Sequence, residues 1–136
     1  MRVDPEEARL LADPRLDEAV RLFNAADWYA CHDSFEELWH ETAGPMRPVL
    51  QGILQIAVGQ LHHSRGNRRG AMVLTGEGLG RLLAVEADAL GLDLGALRAS
   101  ARSWLVALQR EDEEPALAPP TLLAAPGEST GYPSLD

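Results

Sequence analysis

Residues 46–65 read MRPVLQGILQIAVGQLHHSR, and this stretch decides the fold. On a helical wheel its aliphatic side chains, from Leu50 and Ile53 to Ala57 and Leu61, cover most of the circumference. A helix that is apolar on nearly every side needs neighbours on nearly every side. Three glutamines interrupt the run, so it does not have the pattern of a membrane span. The stretch therefore predicts a central, buried helix.

Helix signals surround this stretch on both sides. Asp4-Pro5 and Asp13-Pro14 each place a capping carboxylate before a proline at the first helical position, and Asn67 is a third good cap. Strand patterns are almost absent. The expected helices cover about 5–11, 14–25, 27–42, 46–65, 68–85 and 94–111. The sequence thus predicts an all-α, single-domain bundle of five to six helices over 1–112.

The remaining residues differ in composition. From Glu113 onward the chain has five prolines and no helical periodicity. Such a composition is typical of segments that do not build a packed core. We therefore expect residues 113–136 to form a Pro-rich, disordered tail.

Charge and composition exclude several classes of function. The net charge of −9 is opposite in sign to what a nucleic-acid binder or an anionic membrane surface requires. All twelve basic residues are arginine, which excludes a Schiff-base lysine and a phosphate-binding Walker lysine. A single cysteine and an acidic N-terminus without a signal peptide favour the cytoplasm. The expected partner is therefore a small molecule or another protein, and assembly of the chain into a homo-oligomer is an open alternative.

The third expected helix carries candidate chemistry. His32 and Glu36 lie four residues apart, so their side chains meet on one helix face. The pair could ligate a divalent metal, Glu36 could orient His32 as a general base, or the two could form a surface hydrogen bond. Asp33 is a candidate hydrogen-bond partner that orients His32 or His40, or simply a solvated acid. Cys31 lies on the apolar face and is expected to behave as a small hydrophobe.

The central helix carries one polar line. Gln51, Gln55 and His62 fall within about 40° of one another on the wheel. A hydrogen-bond network, a subunit interface and a ligand pocket each account for such a line. After it, Arg65 and Asn67 are candidate ligand contacts at the start of the fifth helix, although Asn67 is also explained as an N-cap.

The two polar surfaces are expected to meet. A short connection joins the third and fourth helices, so they should pack antiparallel. We expect His32, Glu36 and His62 to converge, with Gln55 nearby. Two imidazoles and one carboxylate are the ligand set of several catalytic metal sites. A metal-free polar cluster is the alternative.

These residues also resemble a known family. The chain is similar to domain of unknown function 309 in three segments, which occur in order: Phe23-Asn24 with Tyr29-x-x-His32-Asp33-x-x-Glu36-x-x-Trp39; Arg47-x-x-Leu50-Gln51-Gly52-x-x-Gln55-x-Ala57; and His62-x-x-Arg65-Gly66-Asn67-x-x-Gly70-Ala71. The resemblance implies a small, all-helical cytoplasmic domain and no particular activity.

The expected function is therefore a small-ligand or metal-binding helical domain with its site between the third and fourth helices. In an enzymatic version, a hydrolase, His32, Glu36 and His62 hold the metal, while Gln55 and Arg65 contact the substrate. The alternative is a non-catalytic structural or protein-interaction domain whose polar cluster is a buried hydrogen-bond network. Whether the protein is an enzyme stays open.

Overall fold

The computed structural model describes residues 4–110 and 114–126, and within them the chain is all-helical. The elements are α1 (Pro5–Leu11), α2 (Pro14–Asn24), α3 (Trp28–His40), α4 (Arg47–Ser64), α5 (Arg68–Leu82), a short 3-10 helix (Ala89–Gly91) and α6 (Leu94–Leu108). α4 packs against both α3 and α5, and most of its aliphatic side chains are buried. The prediction of an all-α bundle with a central buried helix is confirmed. In the described ranges, no helix is both long and apolar enough to cross a bilayer.

The predicted helix starts are confirmed by individual hydrogen bonds. The Asp4 carboxylate accepts from the N–H two residues further on at 2.9 Å, and Asp13 does the same at 2.9 Å. Asn67 and Asp93 accept from the N–H three residues further on, each at 2.9 Å. Each cap satisfies an N–H group for which the first turn has no intrahelical partner. Local sequence therefore determines where these helices begin.

Three helices end two or three residues earlier than the pattern predicted, and arginines from elsewhere in the chain stabilise those ends. Arg47 donates to two carbonyls at the end of α3, both at 3.0 Å. Arg98 donates to the Leu82 carbonyl at 2.8 Å at the end of α5, and Arg68 to a carbonyl in the last turn of α6. The last carbonyls of a helix lack partners, and a cation suits them. A helix over 68–85 would place Leu83 on its inner face, but Leu83 is exposed because it follows the last helical residue.

Glycines determine how closely α4 and α5 approach. A Cβ added to Gly52 would lie 2.7 Å from Cδ2 of Leu82, and one added to Gly59 would lie 2.5 Å from Oγ1 of Thr75. On α5, a Cβ added to Gly78 would lie 2.8 Å from the Gly52 carbonyl oxygen. The absence of side chains at these positions is what lets the two backbones come this close. Gly52 and Gly59 lie on one line of the α4 surface, a sequence pattern that favours a close helix approach. The structure confirms that approach and shows that the approaching helix is α5.

Composition favoured disorder from residue 113 onward. Residues 114–126 have no regular secondary structure, but they lie against the helices. Leu122 and Ala125 are buried. The Asn24 side chain donates to the Leu122 carbonyl at 2.9 Å and accepts from the Leu122 N–H at 2.6 Å. Bonds to the backbone need no periodic side-chain pattern, so composition does not reveal them. The expectation of disorder over 127–136 concerns residues outside the described part of the chain.

Candidate functional site

His32, Asp33 and Glu36 form a cluster of candidate metal ligands on α3. Each residue offers one ligand atom, and these atoms lie within 4.8 Å of one another. His32 Nδ1 lies 3.4 Å from Asp33 Oδ1, and His32 Nε2 lies 3.9 Å from Glu36 Oε2. The four-residue spacing brings His32 and Glu36 together as the sequence predicted. Both ring nitrogens of His32 therefore face a carboxylate.

The cluster is open to solvent. The exposed fractions of the side chains are 29% for His32, 64% for Asp33 and 42% for Glu36. Water can reach the carboxylates and would complete the coordination of an ion bound there. Structural zinc sites, in contrast, usually enclose the ion with four protein ligands. The geometry suits an exchangeable ion with open coordination positions.

The two sides of the His32 ring offer different interactions. An ion that binds Nε2 beside Glu36 leaves Nδ1–H facing Asp33. A carboxylate in that position fixes the tautomer and the orientation of a metal-bound histidine. The 3.4 Å separation of Nδ1 and Asp33 Oδ1 is longer than a well-formed N–H···O bond, so the contact has to shorten for this role.

His62 lies apart from this cluster. In the portion of the chain that the structure describes, the metal-ligand group around His32 contains Asp33 and Glu36 but not His62. The Nδ1 atom of His62 lies instead 3.2 Å from the side-chain nitrogen of Asn67. The predicted ligand set of His32, Glu36 and His62 is therefore not assembled, and Asp33 takes the place of His62 as the third candidate ligand.

The lengths of α3 and α4 explain this correction. The two helices are joined at residues 41–46, so His40 lies level with Arg47 if they run back along each other. Counting outward, His32 is then level with Gln55, and His62 lies seven residues further along α4. Seven residues correspond to roughly 10 Å along a helix axis. His62 thus projects beyond the start of α3, because α4 has 18 residues and α3 has 13.

Gln55 is directed towards α5 and not towards the cluster on α3. Its Nε2 donates to Glu77 at 3.1 Å, and its Oε1 accepts from Arg81 Nε at 2.9 Å. Both partners lie on α5. Of the three explanations offered for the polar line, a hydrogen-bond network is therefore the one that fits Gln55. Gln51 is half-buried. The deeply buried glutamine of α4 is instead Gln60, which is 5% exposed and to which the sequence analysis gave no role.

Arg65 and Asn67 lie at the turn between α4 and α5. Gly66 between them has φ of +78°, a left-handed conformation that glycine adopts at little cost. Asn67 is occupied by structural contacts: its Oδ1 accepts from the Gly70 N–H at 2.9 Å, and its Nδ2 lies beside His62. Arg65 is exposed. Capping alone explains Asn67, and ligand contact by either residue stays a prediction.

Cys31 offers no nucleophile next to His32. The residue is fully buried, as the sequence predicted for a small hydrophobe. Burial, together with the nearby Asp27 carboxylate, raises the pKa of the thiol to about 12. Because the thiolate is the reactive form, Cys31 is inert at neutral pH.

Sequence reasoning missed the residues that hold the end of α3. The guanidinium carbon of Arg47 lies 3.8 Å from the centroid of a Trp39 ring, in a cation–π contact. The same guanidinium donates to the carbonyls of Trp39 and Thr42. Glu36 lies one turn before Trp39, so this contact stabilises the helix that presents the cluster. A signal was available, because Arg47 and Trp39 both belong to the segments that carry the family resemblance.

Comparison with known proteins agrees with that resemblance. The family model "Domain of unknown function (DUF309)" matches residues 16–74. The "Uncharacterized protein YpuF" of Bacillus subtilis (strain 168) is 36% identical over 86 residues, which cover 60% of this chain and 49% of the relative. The chain thus spans about half the length of that relative. The matched range contains α3, α4 and the whole His32 cluster. The resemblance to this family noted from the sequence is therefore confirmed over residues 16–74.

Proposed function

We propose that this domain binds a divalent transition-metal ion through His32, Asp33 and Glu36. The observation that supports the proposal is the approach of three ligand atoms, from three side chains, to within 4.8 Å on one open helix face. An imidazole with two carboxylates is a ligand set used for zinc, manganese and ferrous iron. The cluster is built from one helix, so it needs no assumption about helix register.

Small side-chain movements suffice to complete the site. Bonds to zinc are about 2.0–2.2 Å for nitrogen and oxygen ligands, so ligand atoms at the corners of a tetrahedron lie about 3.4 Å apart. The three ligand atoms lie within 4.8 Å of one another, so they are not far from this value. The contacts of 3.4 Å and 3.9 Å join Asp33 and Glu36 to different ring nitrogens of His32, so one carboxylate has to rotate towards the nitrogen that binds the ion. Asp33 and Glu36 are exposed and can rotate without disturbing the core. The remaining coordination position then belongs to water.

Hydrolysis is the reaction that would follow from such a site. A metal held by three protein ligands lowers the pKa of its bound water and so supplies a hydroxide nucleophile at neutral pH. The ion is accessible from solvent, which suits a small-molecule substrate. Where Asp33 is not a ligand, its carboxylate beside Nδ1 orients the imidazole. This catalytic step rests on metal binding and is tested after it.

The first test is a titration of the purified, metal-free protein with Zn²⁺ and Mn²⁺ by isothermal calorimetry. We expect saturable binding of one ion per chain in the wild type and its loss in His32→Ala and Glu36→Gln. His40→Ala and Glu37→Gln are the matched controls, because both residues are exposed on the same helix outside the cluster. Equal binding by all five proteins, or none by the wild type, would contradict the proposal.

A non-catalytic function has support of its own. Gln55 links Glu77 and Arg81 across the α4–α5 contact, as expected of a structural network. If the wild type binds no metal and His32→Ala melts like the wild type, the His32 cluster is only a solvated surface. Protein interaction then becomes the leading function.

A further inference from the structure

Residues 117–126, here called the tail segment, are held mainly through their backbone. Trp104 Nε1 donates to the Ala118 carbonyl at 3.0 Å, and the Asn24 amide forms two hydrogen bonds with Leu122. Further along, the Asp93 N–H donates to the Leu123 carbonyl at 2.7 Å, and the Ala125 N–H donates to the Gly91 carbonyl at 2.9 Å. Five hydrogen bonds thus involve backbone groups of the tail segment, and any extended peptide possesses such groups.

Over residues 120–123 the side chains of the tail segment alternate like those of a strand, and the alternation ends at Ala124, which is exposed like Leu123. Pro120 and Leu122 are buried, whereas Thr121 and Leu123 are exposed. The segment also forms an isolated antiparallel bridge between Leu92 and Ala124. Backbone pairing with pockets for alternate side chains is the mode in which extended peptides add to a protein edge. Leu122, which is 3% exposed, is the main side-chain anchor.

The groove that holds the tail segment is formed by α2, α6 and the 3-10 helix. We propose that this groove is a binding site for an extended, leucine-bearing peptide of a partner protein, and that the tail segment occupies it in cis. The Asn24 side-chain amide forms hydrogen bonds with both the N–H and the carbonyl of the anchor leucine. Asn24 lies within the range that matches the family, residues 16–74, whereas the tail segment lies outside it. The Asn24 contact and the segment that it holds therefore belong to different parts of the chain, although Gly91, Asp93 and Trp104 of the groove also lie outside the matched range.

Uncovered apolar surface beside the tail segment favours a partner over a purely structural tail. A tethered segment experiences an effective concentration in the millimolar range, so weak contacts are enough to seat it in cis. The tail segment also leaves apolar surface uncovered at both ends. A cavity of about 530 Å³ lies beside Leu117 and Val106, which are 40% and 47% exposed. Another, of about 310 Å³, lies beside Leu90 and Leu122. A partner peptide that fills these cavities gains contacts that the tail segment does not make.

The test uses the full chain and a fluorescein-labelled peptide with the sequence of residues 114–126. Leu122→Asp removes the anchor in cis and should free the groove. We expect fluorescence anisotropy to show saturable peptide binding to Leu122→Asp that is at least tenfold tighter than binding to the wild type. Adding Asn24→Ala to that variant should weaken binding at least tenfold, because the two-sided backbone contact is lost. Equal binding by all three proteins overturns the proposal.

A second measurement on the wild type guards against misfolding of the variants. Unlabelled peptide at millimolar concentration should accelerate hydrogen exchange at the Leu122 amide, because the tail segment is displaced from Asn24. Unchanged exchange at that amide overturns the proposal. If the chain instead forms a concentration-dependent dimer whose Leu122 amide stays protected, the occupant is the tail segment of a second copy, and the partner version is wrong.

Discussion

Gly78→Ala tests the α4–α5 contact on which the bundle depends. The new methyl group would lie 2.8 Å from the Gly52 carbonyl oxygen, 2.9 Å from Cγ1 of Ile56 and 3.1 Å from the Ile56 nitrogen. Two of these three atoms belong to the backbone of α4, so a side-chain rotation does not relieve the overlap and the helices have to separate. Overpacking of this kind costs roughly 1–3 kcal/mol.

The same substitution also makes α5 a better helix. Alanine in place of glycine in a helix interior contributes up to about 1 kcal/mol of stability. Gly80→Ala isolates this gain, because Gly80 is exposed on the same helix and a Cβ there meets nothing within 4 Å. We therefore expect Gly80→Ala to be stabilised by up to about 1 kcal/mol and Gly78→Ala to be destabilised by about 0–3 kcal/mol.

The assay is urea unfolding followed by circular dichroism at 222 nm, with both variants measured beside the wild type. The propensity gain is common to both substitutions, so their difference in unfolding free energy measures the steric cost alone. That difference should be about 1–3 kcal/mol. If Gly78→Ala proves as stable as Gly80→Ala, α4 and α5 do not approach through Gly78, and the packing argument fails.

Three further predictions follow from single contacts. Arg47→Leu should lower the unfolding free energy by about 1–3 kcal/mol, because the carbonyls at the end of α3 lose a charged donor; urea unfolding measures this, and an unchanged midpoint refutes it. Cys31 should resist iodoacetamide in the folded protein and react after unfolding, since burial raises its thiol pKa to about 12; mass spectrometry counts the adducts, and rapid labelling of the native protein contradicts the assigned burial. Hydrogen bonds from Arg15 lower the pKa of Asp13 below 3.8 and the pKa of Glu41 below 4.5. The stability that the two charged carboxylates contribute is therefore fully present above pH 4.5, and it is lost as the pH falls through their lowered pKa values in the folded protein. Arg15→Gln should therefore reduce the drop in melting temperature between about pH 6 and about pH 3, and an equal drop in both proteins argues against this linkage.

The candidate site was predictable as far as it lies on one helix. The pairing of His32 with Glu36 follows from the helical repeat alone, and the structure places these side chains together. His62 lies outside the group that the described residues form around His32, because its position depends on how far α4 extends beyond α3. The direction of Gln55 was missed for a related reason: a side chain at the margin of a buried helix can face either neighbour, and only packing decides which.

The sequence by itself determined the helices, their caps and the buried character of α4, because these depend on residues within a few positions of one another. It also indicated the close approach at Gly52, since a helix of large side chains does not need glycines there. Tertiary structure decided which helix makes that approach, that His62 lies outside the group around His32, and where the tail segment lies. Contacts such as that between Asn24 and Leu122 join residues 98 positions apart through backbone groups that every residue shares. No local pattern encodes such a contact, so it exists only once the helices have packed.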